Sequence, residues 1–397
     1  VTWDALFVGG GVIGLSAAWR ASCSGLQVAV VDPEVGHGAS WVAAGMLAPV
    51  TEAHFGEERL IALLVEGAAH WSTFAGELEA ASGAGIGYRR CGTVMVALDA
   101  SDRAAVDDLL TLQHALGLEA TRLSGRACRE LVPALAPGVR GGAEVPGDHQ
   151  VDNRRLVAAL LESLARREAA TVAGRVIEVT RGRSGSATGV RLADGTTLGA
   201  GAVVLCAGAE TATVTGVPEG TLPPVRPVKG HVVRLRGATN LLPRTVRGLV
   251  RGRPCYLVPR EDGSVVVGAT SEERGFDRTV QAGSVHALLD DARALVPGID
   301  ELELVECLAG LRPGSPDNGP TVGWTGLRGL AVATGHYRNG ILLAPLTAEA
   351  VVALLGGDPV PEALEGFGPD RWRPATQNRS GRPASPDRSG ARDPVPG

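Results

Sequence analysis

ALFVGGGVIGLSAAWRASCSGLQVAVVD, from Ala5 to Asp32, decides how the rest of this chain is read. A short apolar run, Ala5 to Val8, meets three successive glycines, and Val12 to Ser24 then carries Ala, Leu, Ile and Trp at helical density. A second apolar run, Gln27 to Val31, stops at Asp32. Strand, glycine turn, helix and strand in this order make a dinucleotide-binding unit. Gly9, Gly11 and Gly14 fill the three positions of GxGxxG: the first permits the tight turn, the second admits a diphosphate to the backbone, and the third lets helix pack on strand. The helix start at Val12 and Ile13 then presents free N–H groups to the phosphates. Asp32 follows at about the 20-residue spacing expected of the acid that takes the ribose hydroxyls.

The remainder of the 397 residues is long enough for at least two domains at a prior of roughly 100 to 200 residues each. With 44% hydrophobic and 20% charged residues the chain can bury a large core, and a net charge of −5 gives no electrostatic reason to expect nucleic acid as a partner. The N-terminal residues read as strand and turn rather than as a signal peptide. Every apolar run is broken by Gly, Pro or charge before the ~20 residues a bilayer requires, so no membrane partner and a cytoplasmic location are expected. Six cysteines and eight histidines show no metal-ligand spacing, and no metal is expected.

Further along, the pattern predicts helices over Arg59 to Ala81 and Ala104 to Leu116, with a strand at Thr93 to Leu98 between them. Asp152 reads as the N-cap of a helix reaching about Arg167; strands follow at Val172 to Thr180 and Ala202 to Cys206. From Val225 to Thr270, β-branched and polar residues alternate as in an antiparallel sheet. A helix at Val285 to Leu295, a strand at Leu302 to Leu308 and a last helix at Ile341 to Leu355 complete the reading. The final residues, 373–397, are rich in Pro, Gly, Ser and Arg and are expected to be a disordered tail.

The segment GASWVAAGMLAP, Gly38 to Pro49, resembles the one that runs along the flavin in the D-amino acid oxidase family, a group that includes glycine oxidase and sarcosine oxidase. The resemblance extends through VVLCAGAET (203–211), PVKGHVVRL (227–235), CYLVPREDGSVVVGAT (255–270), LAGLRPGSPDNGPTVG (308–323) and GHYRNGILLAP (335–345), the last two nearest the glycine oxidases. Glu210 departs from it, since an aromatic residue is usual there. The implied fold is α/β: a Rossmann-like FAD-binding domain built from 1–88, 142–224 and 306–371, into which an antiparallel-sheet substrate domain of 89–141 and 225–305 is inserted. The implied cofactor is noncovalent FAD. Beyond the glycine turn and Asp32, the resemblance assigns to FAD contact Ser40, Ala43, Ala44, Gly45, Met46, Val176, Ala207, Gly208, Gly310, His336, Asn339, Gly340, Ile341 and Leu342.

An arginine after a strand and before Pro, as in Gly310-Leu311-Arg312-Pro313, can hold its planar fork toward a cleft and pair bidentately with a carboxylate. The resemblance makes Arg312 the substrate-carboxylate anchor in contact with FAD and Tyr256 a second donor; it counts Arg338, at the active-site rim and in contact with FAD, and Met46 among the catalytic residues. It implies oxidation of glycine, or another small amino acid or amine, by hydride transfer to flavin N5, with molecular oxygen reduced to hydrogen peroxide. A homo-oligomer, a tetramer by the same resemblance, and a link to thiamine thiazole synthesis follow from it. Readings left open are a sarcosine-type or D-amino acid oxidase, a dehydrogenase, and a non-catalytic FAD-containing scaffold protein. A covalent flavin would fall to Cys307.

Overall fold

The computed structural model describes residues 2–237 and 241–373. Except for Arg373, the tail expected to be disordered lies outside them. The opening unit forms as its sequence dictates: β1 is Thr2–Val8, α1 is Val12–Cys23 and β2 is Val28–Asp32. Ala5 and Phe7 point into the helical core on one face of the sheet, and Leu6 and Val8 into a second core on the other. Burial on both faces is why this strand reads as a continuous apolar run.

Parallel pairing runs from Leu330–Thr334 through Thr197–Leu205, β1 and β2 to Ala170–Ala173, with Thr321–Trp324 antiparallel at one edge. The single strand read over Val172 to Thr180 is two. Ala170–Ala173 joins β2, whereas Val176–Arg181 pairs with Ala187–Leu192 in an arm antiparallel to Thr197–Leu205. The break falls at Gly174, where a Cβ would sit 2.7 Å from Leu192 Cδ1. Asp152 caps the helix Asn153–Arg166 as expected, its carboxylate accepting from the Arg154 and Arg155 amides.

The helix read over Arg59 to Ala81 is also two, Glu58–Ala69 and Trp71–Ser82, hinged at His70. The bend lets both wrap the helix Gly340–Gly356: Gly67 lies against Leu343, and Trp71 Nε1 donates to the Leu342 carbonyl at 2.8 Å. That wrapped segment corrects the membrane reading in one respect. Tyr337–Gly356 is long and apolar enough to cross a bilayer by composition. Here it is the core helix, with Ile341 to Ala348 buried.

The second sheet has eight strands, ordered Glu303–Gly314, Arg226–Arg236, Ser264–Gly268, Arg253–Pro259, Thr245–Val250, Thr93–Ala97, Gly141–Val145 and Thr121–Ser124. All pairs are antiparallel except Thr245–Val250 with Thr93–Ala97. Gly141–Val145 and Glu303–Gly314 belong to it whole, so the sheet reaches past the divisions read at 141/142 and 305/306. The glycine and proline after Leu308 made the end of the longer strand look like a turn. One face packs on the helix Ala282–Leu295; the other meets the segment after β2 through Val232, Val258 and Val266 against Ala44 and Met46. The architecture is thus an α/β Rossmann-like domain joined to an antiparallel-sheet unit.

Candidate active site

Where the two sheets meet lies a cavity of about 640 Å³. Gly9, Gly11, Val12, Ile13 and Asp32 line it from the opening unit, and Ser40, Ala43, Ala44, Gly45 and Met46 from the segment that follows. Val176, Ala207 and Gly208 join them from the same domain, as do His336, Arg338, Asn339, Gly340 and Ile341 ahead of and within the core helix. Tyr256, Gly310 and Arg312 come from the second sheet. Two of the residues read from the sequence stand outside the lining. Gly14 works from behind it: a Cβ there would lie 1.9 Å from the Gly9 carbonyl oxygen, so its absence is what lets α1 approach the turn. Leu342 is buried in the core, one step past the end of the lining.

The turn is held from its flanks. Asp32 accepts the Gly10 amide on Oδ2 at 2.8 Å and the Glu34 amide on Oδ1 at 2.7 Å, so it fastens the loop besides offering its remaining lone pairs to the cavity. Gly11 caps α1 without a side chain, and Ser40 Oγ accepts the Val12 amide at 2.9 Å. The segment after β2 is gripped from the second sheet by two buried arginines. Arg260 donates to the Ala44 carbonyl at 2.6 Å and to Gln150 Oε1 at 2.7 Å; Arg234 reaches the Trp41 carbonyl at 3.3 Å and Asn153 Oδ1 at 3.2 Å. Burial, with Arg154 and Arg260 close by, brings Arg234 down to about 10, and it still carries its charge at neutral pH.

Four guanidinium groups line the cavity, those of Arg175, Arg278, Arg312 and Arg338. Arg175 and Arg278 both pair with Glu210. The acid at the position where the resemblance leads one to expect an aromatic thus ties the loop at Arg175 to the loop at Arg278, beyond the strand Ser264–Gly268, in the cavity wall. Arg338 Nε lies 3.1 Å from Glu52, and its Nη2 3.4 Å from Glu57. Arg312 alone among the four has no carboxylate partner in the described residues; its Nη1 donates to the Thr270 carbonyl at 3.1 Å. Burial raises the Tyr256 phenol above its ordinary value, and Arg312 pulls against that rise. The hydroxyl therefore keeps its proton as a donor at neutral pH.

Glu52 is a site residue that sequence reasoning missed. Burial pushes its carboxyl up, but Arg247 on one oxygen and Arg338 on the other outweigh burial and hold it below the usual carboxylate range. Arg247 lies far along the chain on the strand Thr245–Val250, and no spacing near Glu52, which sits in a turn, announces the pair. Asp148 fastens the turn just before it, accepting the Val50 amide at 3.0 Å and the Thr51 amide at 2.9 Å; burial brings its own carboxyl up to about 6.

The residues fit FAD. A long cavity with a glycine turn and an open helix start at its wall suits a diphosphate, and Asn339 Nδ2, buried in the lining, has no hydrogen-bond partner among the described residues. A buried donor left unpaired costs about 1 to 3 kcal/mol unless a ligand takes it. His336 is driven down to about 3 by burial, so it lines the cavity as a neutral ring, its Nε2 3.0 Å from Thr347 Oγ1. Cys206 is the one cysteine in the described lining, and burial lifts its thiol to about 12. Cys307 instead packs against the second core, away from the cavity.

Comparison with known proteins agrees with this geometry. Residues 4–354 match the family model for FAD dependent oxidoreductases. The glycine oxidase of Pseudomonas putida is 35% identical over 377 residues, covering 90% of this chain and 97% of that protein. A bifunctional ThiO/ThiG protein of Synechocystis is 32% identical over 378 residues, covering 94% of this chain and 55% of its own length. The crystal structure of glycine oxidase from Geobacillus kaustophilus superposes with a TM-score of 0.85 at 34% identity, covering 92% of this chain and 98% of that one. The chain belongs to the FAD-dependent oxidoreductase family. Within it, it is an FAD-dependent amino acid oxidase of the glycine-oxidase-like kind.

Asp32→Ala is expected to weaken FAD by roughly 10- to 150-fold, the equivalent of charge-assisted bonds worth about 1.5 to 3 kcal/mol. Fluorescence titration of the apoprotein with FAD measures this, and an unchanged Kd would remove Asp32 from the cofactor site.

Proposed function

We propose that this enzyme oxidises glycine, or a comparably small amino acid, to the imine, which hydrolyses to the 2-oxo acid and ammonia. One observation carries the reading: among the described lining residues Arg312 is the guanidinium without a carboxylate partner, and it shares the cavity wall with Tyr256, whose phenol feels its charge. A substrate carboxylate pairs with the free edge of the Arg312 fork and accepts a hydrogen bond from the Tyr256 hydroxyl, which fixes the α-carbon inside the cavity. Glycine offers no side chain to grip, so its orientation rests on this anchor and on the amine. Bound FAD supplies the acceptor for the α-hydrogen and the means of reducing dioxygen. The chain contributes alignment, a neutral His336 and a water-poor lining, and no protein base within the cavity is needed for a substrate whose amine arrives deprotonated. The ThiO/ThiG relative supports a role in supplying the imine for thiazole formation in thiamine synthesis.

The flavin is held without a covalent bond in this reading, because Cys206 is an inert buried thiol and Cys307 faces away. The test is anaerobic addition of glycine, sarcosine, D-alanine, bulky D-amino acids and simple amines to the yellow protein. Glycine is expected to bleach the flavin fastest, with peroxide formed on readmission of air. Preference for bulky D-amino acids would overturn the small-substrate reading, and flavin that stays with acid-precipitated protein the noncovalent one.

A further inference from the structure

The strand Arg226–Arg236 sends alternate side chains to opposite faces of the second sheet. Gly230 and Val232 line the cavity, while Lys229 and His231, both wholly buried, lie behind them. Gly230 makes room for the anchor: a Cβ there would stand 2.2 Å from Arg312 Nη1 and 2.5 Å from Cζ, so the guanidinium lies flat across the strand at this point. On the hidden face the neighbours of Gly230 hold the segment that follows the strand Ser264–Gly268. Lys229 Nζ reaches Asp277 Oδ2 at 2.7 Å and Gln281 Oε1 at 2.8 Å, and the Lys229 and Glu272 backbones exchange two hydrogen bonds.

His231 binds the same segment at three places. Its backbone amide donates to Thr270 Oγ1 at 2.9 Å, and its Nδ1 lies 2.9 Å from that oxygen and 3.0 Å from Glu272 Oε1. Its Nε2 accepts the Gln281 amide at 3.2 Å. An accepting Nε2 assigns the ring proton to Nδ1, where it points at Thr270 and Glu272. Thr270 is also the residue whose carbonyl receives Arg312 Nη1. Two hydrogen bonds therefore separate a buried imidazole from the guanidinium in the cavity.

We propose that His231 is a positioning residue for substrate recognition: through Thr270 it fixes the carbonyl that orients the Arg312 fork above Gly230. The inference rests on the reading of Arg312 as carboxylate anchor. With one Arg312 edge tied to Thr270, the other meets the substrate at a set angle; release of Thr270 lets the fork rotate, and a bidentate contact is sensitive to that rotation.

The test uses the FAD-loaded protein titrated with acetate, which has the carboxylate of glycine and no amine to oxidise. The Kd is read from the shift in flavin absorbance, with FAD content and Tm measured in parallel. Thr270→Val, which keeps shape and carbonyl but loses the hydroxyl, is expected to raise the acetate Kd on the order of ten-fold at unchanged FAD content, as is His231→Phe. Thr270→Ser and His231→Asn, which can still make the connecting bond, are expected to stay within about three-fold of wild type. Glycine turnover should follow through KM rather than kcat. Wild-type acetate binding in Thr270→Val, or equal weakening in Thr270→Val and Thr270→Ser, overturns the proposal. Arg312→Ala separates the two claims: loss of acetate binding there, with none in Thr270→Val or His231→Phe, refutes the positioning role alone. Undiminished binding in Arg312→Ala refutes the anchor and the positioning role together.

Discussion

Arg312→Ala is expected to lower kcat/KM for glycine by roughly two to four orders of magnitude, since a carboxylate left unpaired in a partly dry site loses about 3 to 5 kcal/mol. Two features place the effect at the upper end of substitutions in this cavity. No second guanidinium of the described lining stands free to take over, because Arg338 is committed to Glu52 and Glu57, and Arg175 and Arg278 to Glu210. Arg312→Lys should also be severely impaired: an ammonium cannot donate to Thr270 and hold a carboxylate edge-on at once. Peroxide production and the rate of flavin bleaching measure both variants against wild type. Full efficiency in Arg312→Ala with carboxylate-bearing substrates would show the anchor to be elsewhere.

Gly14→Ala should yield protein with little or no bound FAD and a clearly lower Tm. The added methyl would fall 1.9 Å from the Gly9 carbonyl oxygen and 3.3 Å from Cys206 Cβ, and neither the turn backbone nor the strand below it can withdraw. Overpacking of a core typically costs about 1 to 3 kcal/mol, and a backbone partner leaves little scope for relief. The helix must then shift away from the turn that it closes. The measurements are flavin released by acid per protein chain and thermal unfolding. A Gly14→Ala protein as yellow and as stable as wild type would contradict the close approach of α1 to Gly9.

What could be read from the sequence depended on how local each interaction is. The glycine turn, β1, α1, β2 and Asp32 lie within one short stretch whose spacing follows from the geometry of a single unit; the three elements form where the sequence puts them, and Asp32 lies in the cavity wall. The antiparallel sheet also read correctly, because alternation survives in each strand separately. Arg312 and Tyr256 stood out only through a resemblance of whole segments; a lone arginine or tyrosine carries no such message. Glu52 was hidden because its meaning is its pairing with Arg247 on a strand remote in sequence. Glu210 was visible as a departure, but its link to Arg175 and Arg278 depends on how the two sheets face each other. The bend at His70 and the break at Gly174 escape the sequence for the same reason: each goes with a long-range neighbour, Leu343 against Gly67 and Leu192 against Gly174, that periodicity does not report.

The cavity wall begins at Val8 and closes at Ile341, and β1 has as its central neighbour a strand that ends at Leu205. During synthesis, then, the phosphate-binding turn is made well before the residues that complete its cavity. Arg234 and Arg260, which grip the segment from Trp41 to Ala44, emerge later, and the residues around Asn339 later still. At elongation rates of about 5 to 20 residues per second, that interval is tens of seconds in which the opening unit is exposed without its partners. A complete flavin cavity is therefore available only once the chain has been made as far as Ile341.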